Sequence, residues 1–203
     1  MPTILNDLFE KFHVKKQNRV KWGEEISSQN ESVYIISLSD EPSKNNGLLE
    51  NPLIDQNKLL EWFRKSPTLT IDGKKNIQLL EERLKEFWLP DENILYIGKA
   101  PRRKNGKALS NRISEYYSTK IGDGSPHSGG QWIKVLSNLP SCYVYYGFTK
   151  DAAGVEDEML DHFIENVSIS TKEKLRDPSL PLPFANIRHR GKDKKHGMQN
   201  QRV

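Results

Sequence analysis

The 203-residue sequence contains one cysteine, Cys142, and no apolar run long enough to cross a membrane. A single cysteine excludes an internal disulfide and any zinc site built from several cysteines. A transmembrane helix needs roughly 18 or more successive apolar residues, so no such helix is expected. The first residues also lack the basic region and apolar core of a secretory signal. These absences predict a soluble, cytoplasmic protein.

The charge is unevenly distributed, although the net charge is only +4. The stretch from Lys99 to Lys120 carries +6 and the stretch from Ile187 to Val203 carries +5, which leaves −7 on the rest of the chain. Two basic blocks on an acidic body favour a polyanionic partner, because each neutralised phosphate releases counterions. A solvated loop and a solvated tail would have the same composition, so charge alone does not decide the matter.

Hydrophobic periodicity predicts a single domain of the α+β class. Runs of β-branched and aromatic residues predict strands at 33–38, 93–98 and 142–148. Apolar residues at helical spacing predict helices at about 4–12, 59–63, 77–88, 109–117, 132–136 and 154–166. Residues 1–30 are expected to form an N-terminal extension. The basic tail, 187–203, is expected to lack fixed structure after Arg190.

One carboxylate lies on the apolar face of a predicted helix. In the helix at 154–166, Glu156 falls within the stripe that contains Met159 and Phe163, whereas Glu158 points away. A carboxylate on an apolar face costs free energy unless it is paired or binds a metal ion. Glu156 is therefore a candidate metal ligand, and a structural ion pair is the alternative.

Four other side chains are candidates for chemistry, although each has an ordinary structural explanation. Tyr34 and Tyr96 lie within predicted strands, where tyrosines are commonly core residues. Arg112 lies at the edge of a helix's apolar face and could be a surface residue. Asn186 follows a proline-rich segment and could belong to an ordinary turn.

The order of these residues resembles the GIY-YIG nuclease family. Tyr96-Ile97-Gly98 reproduces the second signature tripeptide, while Ser32-Val33-Tyr34 shares only the tyrosine and the β-branched centre of the first. The two tyrosines are 62 positions apart instead of close together in a hairpin. Residues 41–91 are therefore expected to be a helical insertion at that hairpin.

The resemblance implies a small antiparallel sheet flanked by helices, and a DNA endonuclease that uses Mg²⁺ or Mn²⁺. Of the nucleases in the family, a type II restriction enzyme is the form we favour. The resemblance implies Tyr34 as general base, with Lys99 or the metal ion as the cation that lowers its pKa. It implies Tyr96 as a ligand of the phosphate or the attacking water, Arg112 as a phosphate ligand and Glu156 as the metal ligand. Tyr116 and Asn186 complete the set of implied catalytic residues, with Asn186 in a supporting role.

Double-stranded DNA is the partner that this interpretation requires, and a homodimer would cut both strands of a palindromic site. The expected backbone contacts come from the loop at 101–107 and from the tail, through Arg102, Arg103, Lys104, Lys107, Arg188 and Arg190. The helices of the insertion or the N-terminal extension would read sequence or form the dimer.

Three alternatives stay open. The chain could be a nuclease of repair, recombination or mobile-element movement, or a non-catalytic nucleic-acid-binding module. It could also be an unrelated α+β protein with a coincidental tripeptide, which would be favoured if Tyr34 and Tyr96 did not lie on neighbouring strands.

Overall fold

A computed structural model describes residues 2–103, 108–123 and 130–200. Helices and strands are both present within these residues, as expected for an α+β fold. In chain order the elements are α1 (Leu5–Lys11), β1 (Lys15–Lys21), β2 (Ser32–Ser37), α2 (Gln56–Lys65), β3 (Leu69–Ile71), α3 (Ile77–Lys85), β4 (Ile94–Ala100), α4 (Leu109–Ser118), α5 (Gly130–Lys134), β5 (Tyr143–Phe148), α6 (Ala152–Asn166), α7 (Ile169–Lys172), β6 (Arg188–His189), β7 (Lys192–Asp193) and β8 (Met198–Asn200). Over the described residues, no helix has the length and apolarity needed to span a bilayer.

Four antiparallel strands form the central sheet, in the order β1–β5–β2–β4. Strand β2 lies inside the sheet and pairs with both β5 and β4, whereas β4 is an edge strand. Tyr34 of β2 pairs with Gly98 of β4 and with Tyr146 of β5. The prediction of an antiparallel sheet flanked by helices is confirmed, and the two tyrosine-bearing strands are neighbours.

Apolar side chains cover both faces of this sheet. On one face, Tyr34 and Ile36 pack with Ile113 of α4 and with helices α2 and α3. On the other face, Val33 and Ile35 pack with helices α1 and α6. Burial on both faces explains why β2 is a continuous apolar run in the sequence instead of an alternating one.

The connection between β2 and β4 contains α2, β3 and α3, within the residues expected to form an insertion. Asp55 and Asn76 cap the two helices, because their side-chain oxygens accept hydrogen bonds from the first free backbone N–H groups. Leu59 of α2 and Leu84 of α3 are fully buried in the same cluster as Tyr34. The connection is therefore part of the core beneath the tyrosine face of the sheet.

The structure has a strand that the sequence analysis missed in the segment expected to be an extension. Strand β1 pairs with β5 along most of its length and forms the second edge of the sheet. Its described side chains are mostly polar and exposed, so the segment lacks the apolar alternation that identifies a strand. Charged residues are common on edge strands because they discourage pairing with other molecules.

The expectation that the tail lacks fixed structure after Arg190 is wrong for residues 191–200. Strands β6 and β7 form a short hairpin, and β8 pairs with the distant strand β3. The amine of Lys194 is buried, where it donates to the carbonyl oxygens of Pro183 (2.8 Å) and Phe184 (3.0 Å). A run of charged residues conceals such tertiary contacts, because its composition is that of a solvated tail.

Candidate active site

Two tyrosine rings lie over Gly98 at the β2–β4 pairing. Tyr34 and Tyr96 point to the same face of the sheet, with their ring centroids 5.8 Å apart. A Cβ atom on Gly98 would lie 2.4 Å from Cε1 of Tyr96 and 2.7 Å from Cζ of Tyr34. Glycine is therefore required at this position by the space that the rings occupy.

Helix α4 adds a cation and a third tyrosine to this face. Arg112 and Tyr116 are four residues apart, so they lie on the same side of the helix. The ring of Tyr116 is fully buried, 5.7 Å from the ring of Tyr96. Burial raises the pKa of both the Tyr34 and Tyr96 hydroxyls, and the Arg112 guanidinium lies close enough to oppose this rise.

Burial decides the protonation of these tyrosines. It raises the pKa of Tyr34 well above its ordinary value, and the neighbouring Tyr96 adds to this while Arg112 opposes it. The Tyr34 hydroxyl lies within hydrogen-bonding reach of Arg112 and of the Tyr96 hydroxyl, so the three side chains form one buried polar cluster.

Glu156 enters the site from helix α6. Asp151 caps this helix by accepting a hydrogen bond from the backbone N–H of Gly154. Glu156 is buried, with 11% of its side chain exposed, and Glu158 is exposed, as the helical periodicity predicts. Burial raises the pKa of Glu156, and Lys99 opposes this because its Nζ lies 2.6 Å from Oε2 of the carboxylate. The charge of Glu156 also acts on Tyr96, so the carboxylate lies near the tyrosine cluster.

The expectation that Lys99 lowers the pKa of Tyr34 is wrong. Tyr34 pairs with Gly98, and the next pair along the two strands is Val33 with Lys99. Neighbouring residues of a strand point to opposite faces, so Lys99 points away from Tyr34 and towards α6. Arg112 is the cation that acts on Tyr34, and Lys99 neutralises Glu156 instead.

Asn186 supports the signature strand from its open edge. The Asn186 amide accepts a hydrogen bond from Ile97 N–H (2.9 Å) and donates one to Ile97 C=O (2.7 Å), so it continues the sheet where no further strand pairs. The adjacent backbone N–H of Ala185 donates to Leu95 C=O. The buried Lys194, which no sequence signal indicates, holds the carbonyls just before this segment. Asn186 therefore fixes the backbone of Ile97, the residue between Tyr96 and Gly98.

All seven predicted catalytic residues belong to this one region, although they extend from Tyr34 to Asn186 in the chain. Comparisons with protein-family models, with curated proteins and with solved structures gave no match. The interpretation of the site therefore depends on its geometry and on the sequence motif.

The side chains of the site are compatible with a divalent ion that prefers oxygen ligands, such as Mg²⁺ or Mn²⁺. No group of three or more His, Cys, Asp or Glu side chains is arranged to hold a metal within residues 2–103, 108–123 and 130–200. This arrangement does not suit zinc, which takes three or four protein ligands. Mg²⁺ is commonly held by one or two carboxylates together with waters and substrate phosphate. Glu156 is the carboxylate of the site that could take this part, and in this structure it forms an ion pair with Lys99.

The structure changes the interpretation of the arginines expected to contact DNA. Arg103, Arg188 and Arg190 each form a close ion pair, with Glu115 (2.5 Å), Asp193 (2.6 Å) and Asp161 (2.7 Å) respectively. A paired arginine must leave its carboxylate before it can neutralise a phosphate, so these three arginines are less available to DNA than unpaired cations are. Glu115 and Asp193 are already counted in the net charges of the two basic blocks, and only Asp161 adds a negative charge from outside them. Arg102 is exposed, while Lys104 and Lys107 lie outside the described residues.

Proposed function

We propose that this chain is an endonuclease that hydrolyses DNA phosphodiester bonds with a divalent metal ion, Mg²⁺ or Mn²⁺, held by Glu156. One observation carries the proposal: the rings of Tyr34 and Tyr96 meet over Gly98 with the Arg112 guanidinium beside them, and the charge of the buried Glu156 acts on Tyr96. This is the set that the GIY-YIG resemblance implies, and the pairing of β2 with β4 supports it because it brings the two tyrosines together.

Phosphodiester hydrolysis requires neutralisation of phosphate charge, orientation of the attacking water and stabilisation of the leaving oxygen. Arg112 offers a permanently charged planar fork to a phosphate oxygen. The hydroxyl of Tyr96 is available to bind the phosphate or the attacking water. A divalent ion on Glu156 would supply further positive charge and activate a bound water.

Tyr34 enters the proposal as a hydrogen-bond donor in the free protein. Burial keeps its hydroxyl protonated at neutral pH, because it raises the pKa well above the ordinary value. The Tyr34 hydroxyl therefore acts within the buried cluster, where its hydrogen bond with the half-buried Tyr96 orients that tyrosine. The role of general base that the resemblance implies needs more positive charge beside Tyr34 than Arg112 alone provides.

Among nucleases, we favour a type II restriction endonuclease, which acts at a specific sequence and cuts both strands. Cutting both strands takes either two active sites or successive nicks by one site, and a homodimer on a palindromic site is the form the proposal takes for the first route. A nuclease of repair or mobile-element movement would use the same residues on a different substrate. A non-catalytic binding module would keep the scaffold without the reaction.

The proposal is tested by incubating the protein with supercoiled plasmid and long phage DNA, first with Mg²⁺ and then with EDTA. Discrete fragments that require Mg²⁺ are the expected result, and the fragment ends would give the recognition site. Slow nicking or a smear would favour a repair or structure-specific nuclease. Salt-sensitive binding without cleavage in Mg²⁺ or Mn²⁺ would overturn the proposal in favour of a binding module.

A further inference from the structure

Three exposed cations line one open groove at the end of the central sheet. Lys15, Arg102 and Lys150 border this groove of about 1030 Å³, together with polar side chains that include Gln29 and Asn30. Among the described residues, none of the three cations has a carboxylate within ion-pair distance. They differ in this respect from the paired arginines of the basic loop and tail.

The register of the sheet explains why these cations meet. Lys15 pairs with Phe148, Phe148 with Ser32, and Ser32 with Ala100, so the ends of all four strands form one row. Lys15 begins β1, while Lys150 and Arg102 lie two residues beyond the ends of β5 and β4. Charges that are far apart in the sequence are therefore brought to one end of the sheet.

The groove is adjacent to the candidate active site. Arg102 follows Lys99, the partner of Glu156, by three residues, a distance of at most about 10 Å along the chain. Glu31, the acidic residue of the groove, accepts a hydrogen bond from the backbone N–H of Ala152 at 3.0 Å. Ala152 is the first residue of the helix that carries Glu156. The groove and the candidate active site are therefore connected through two elements, strand β4 and helix α6.

We propose that this groove binds the phosphate backbone of duplex DNA beside the phosphate that is cleaved. The proposal depends on the proposed function for the choice of DNA, and it assigns the backbone contact to Lys15, Arg102 and Lys150. Unpaired cations neutralise phosphates without first losing a carboxylate partner. The amides of Gln29 and Asn30 are also of the type that donates hydrogen bonds to phosphate oxygens.

The inference is tested by duplex binding in the Glu156→Gln background, which separates binding from cleavage. Anisotropy of a fluorescent 20-base-pair duplex, measured over a range of salt concentrations, compares a Lys15→Ala/Lys150→Ala double variant with its parent. The slope of log K against log[salt] is negative, and its magnitude should fall by about 2, because each lost phosphate contact removes about 0.9. A single Arg102→Ala change should lower this magnitude by about 1.

The matched control is the Lys172→Ala/Lys174→Ala double variant, which removes the same charge elsewhere. Thr171 beside these lysines contacts Asp91, which precedes the start of β4. The groove lies beyond the other end of this seven-residue strand, roughly 20 Å away. The control slope should stay at the parent value, and an equal decrease in both double variants would overturn the groove assignment.

The failures of the two proposals are distinguishable. If wild-type protein cuts DNA and the groove variants bind as the parent does, the nuclease stands and the groove is refuted. If wild-type protein never cuts DNA but the groove variants lose salt-dependent binding, the groove stands and the nuclease is refuted. Tighter binding to phosphatidylserine vesicles or to duplex RNA than to duplex DNA would overturn the choice of DNA.

Discussion

Replacing Gly98 with alanine would insert one methyl group at the point where the rings of Tyr34 and Tyr96 meet. The new carbon would lie 2.4 Å from Cε1 of Tyr96 and 2.8 Å from the hydroxyl oxygen of Tyr34. Carbon atoms in good contact are about 3.5–4.0 Å apart, so at least one ring must move by about 1 Å. Overpacking of this kind costs about 1–3 kcal/mol of unfolding free energy. Displacing a catalytic group by about 1 Å reduces a reaction rate about 100-fold.

The matched control is Gly47→Ala, at a glycine outside the central sheet. A Cβ there would lie 2.9 Å from the carbonyl oxygen of Leu38, and the φ of +73° is one that other residues rarely adopt, so this variant should also lose stability. Leu38 lies four residues beyond Tyr34, about 13 Å along the extended chain, so the tyrosine rings should keep their positions. Urea unfolding should show a loss of stability for both variants, whereas plasmid cleavage should fall about 100-fold only for Gly98→Ala. Wild-type cleavage by a folded Gly98→Ala protein would refute the reasoning, and so would an equal loss in Gly47→Ala.

Two other predictions concern stability, and both are measured by urea unfolding. Asn186→Ala leaves the N–H and C=O of Ile97 without their partners and should lower the unfolding free energy by about 2–4 kcal/mol; a loss below about 1 kcal/mol would contradict the role of Asn186. The pKa of the buried Glu92 carboxyl is raised by burial to about 8, so the folded state holds this proton more tightly than the unfolded state does. Stability should therefore decrease as the pH rises from about 4.5 to 8, by up to about 5 kcal/mol. Glu92→Gln should remove most of this decrease, and an unchanged pH dependence would contradict it.

Elements with a strong apolar pattern were predictable from the sequence. The periodicity of α6 distinguishes the buried Glu156 from the exposed Glu158, because only one of them falls on the face that packs against the sheet. The runs of β2, β4 and β5 were also predictable, since strands buried on both faces are almost wholly apolar. The spacing of apolar residues therefore predicts a helix or strand correctly where the element is buried along its whole length.

Contacts between distant residues were not predictable in the same way. Strand β1 is polar, and β8 is a three-residue strand that pairs with a distant partner. The ion pair of Arg190 with Asp161 joins the tail to helix α6, so composition alone overestimates the charge available to DNA. The face to which Lys99 points follows from strand alternation only once the pairing of Tyr34 with Gly98 is known.

The most direct test of the central claim compares Glu156→Gln with Glu158→Gln in plasmid cleavage with Mg²⁺. The two variants remove one negative charge each from the same helix, but only Glu156 is buried beside Lys99 near the tyrosines. We predict that Glu156→Gln abolishes cleavage and still binds DNA, because glutamine keeps the shape of the side chain without the charged ligand. Glu158→Gln should cleave as the wild type does. Equal cleavage by the two variants would contradict the assignment of Glu156 as the metal ligand.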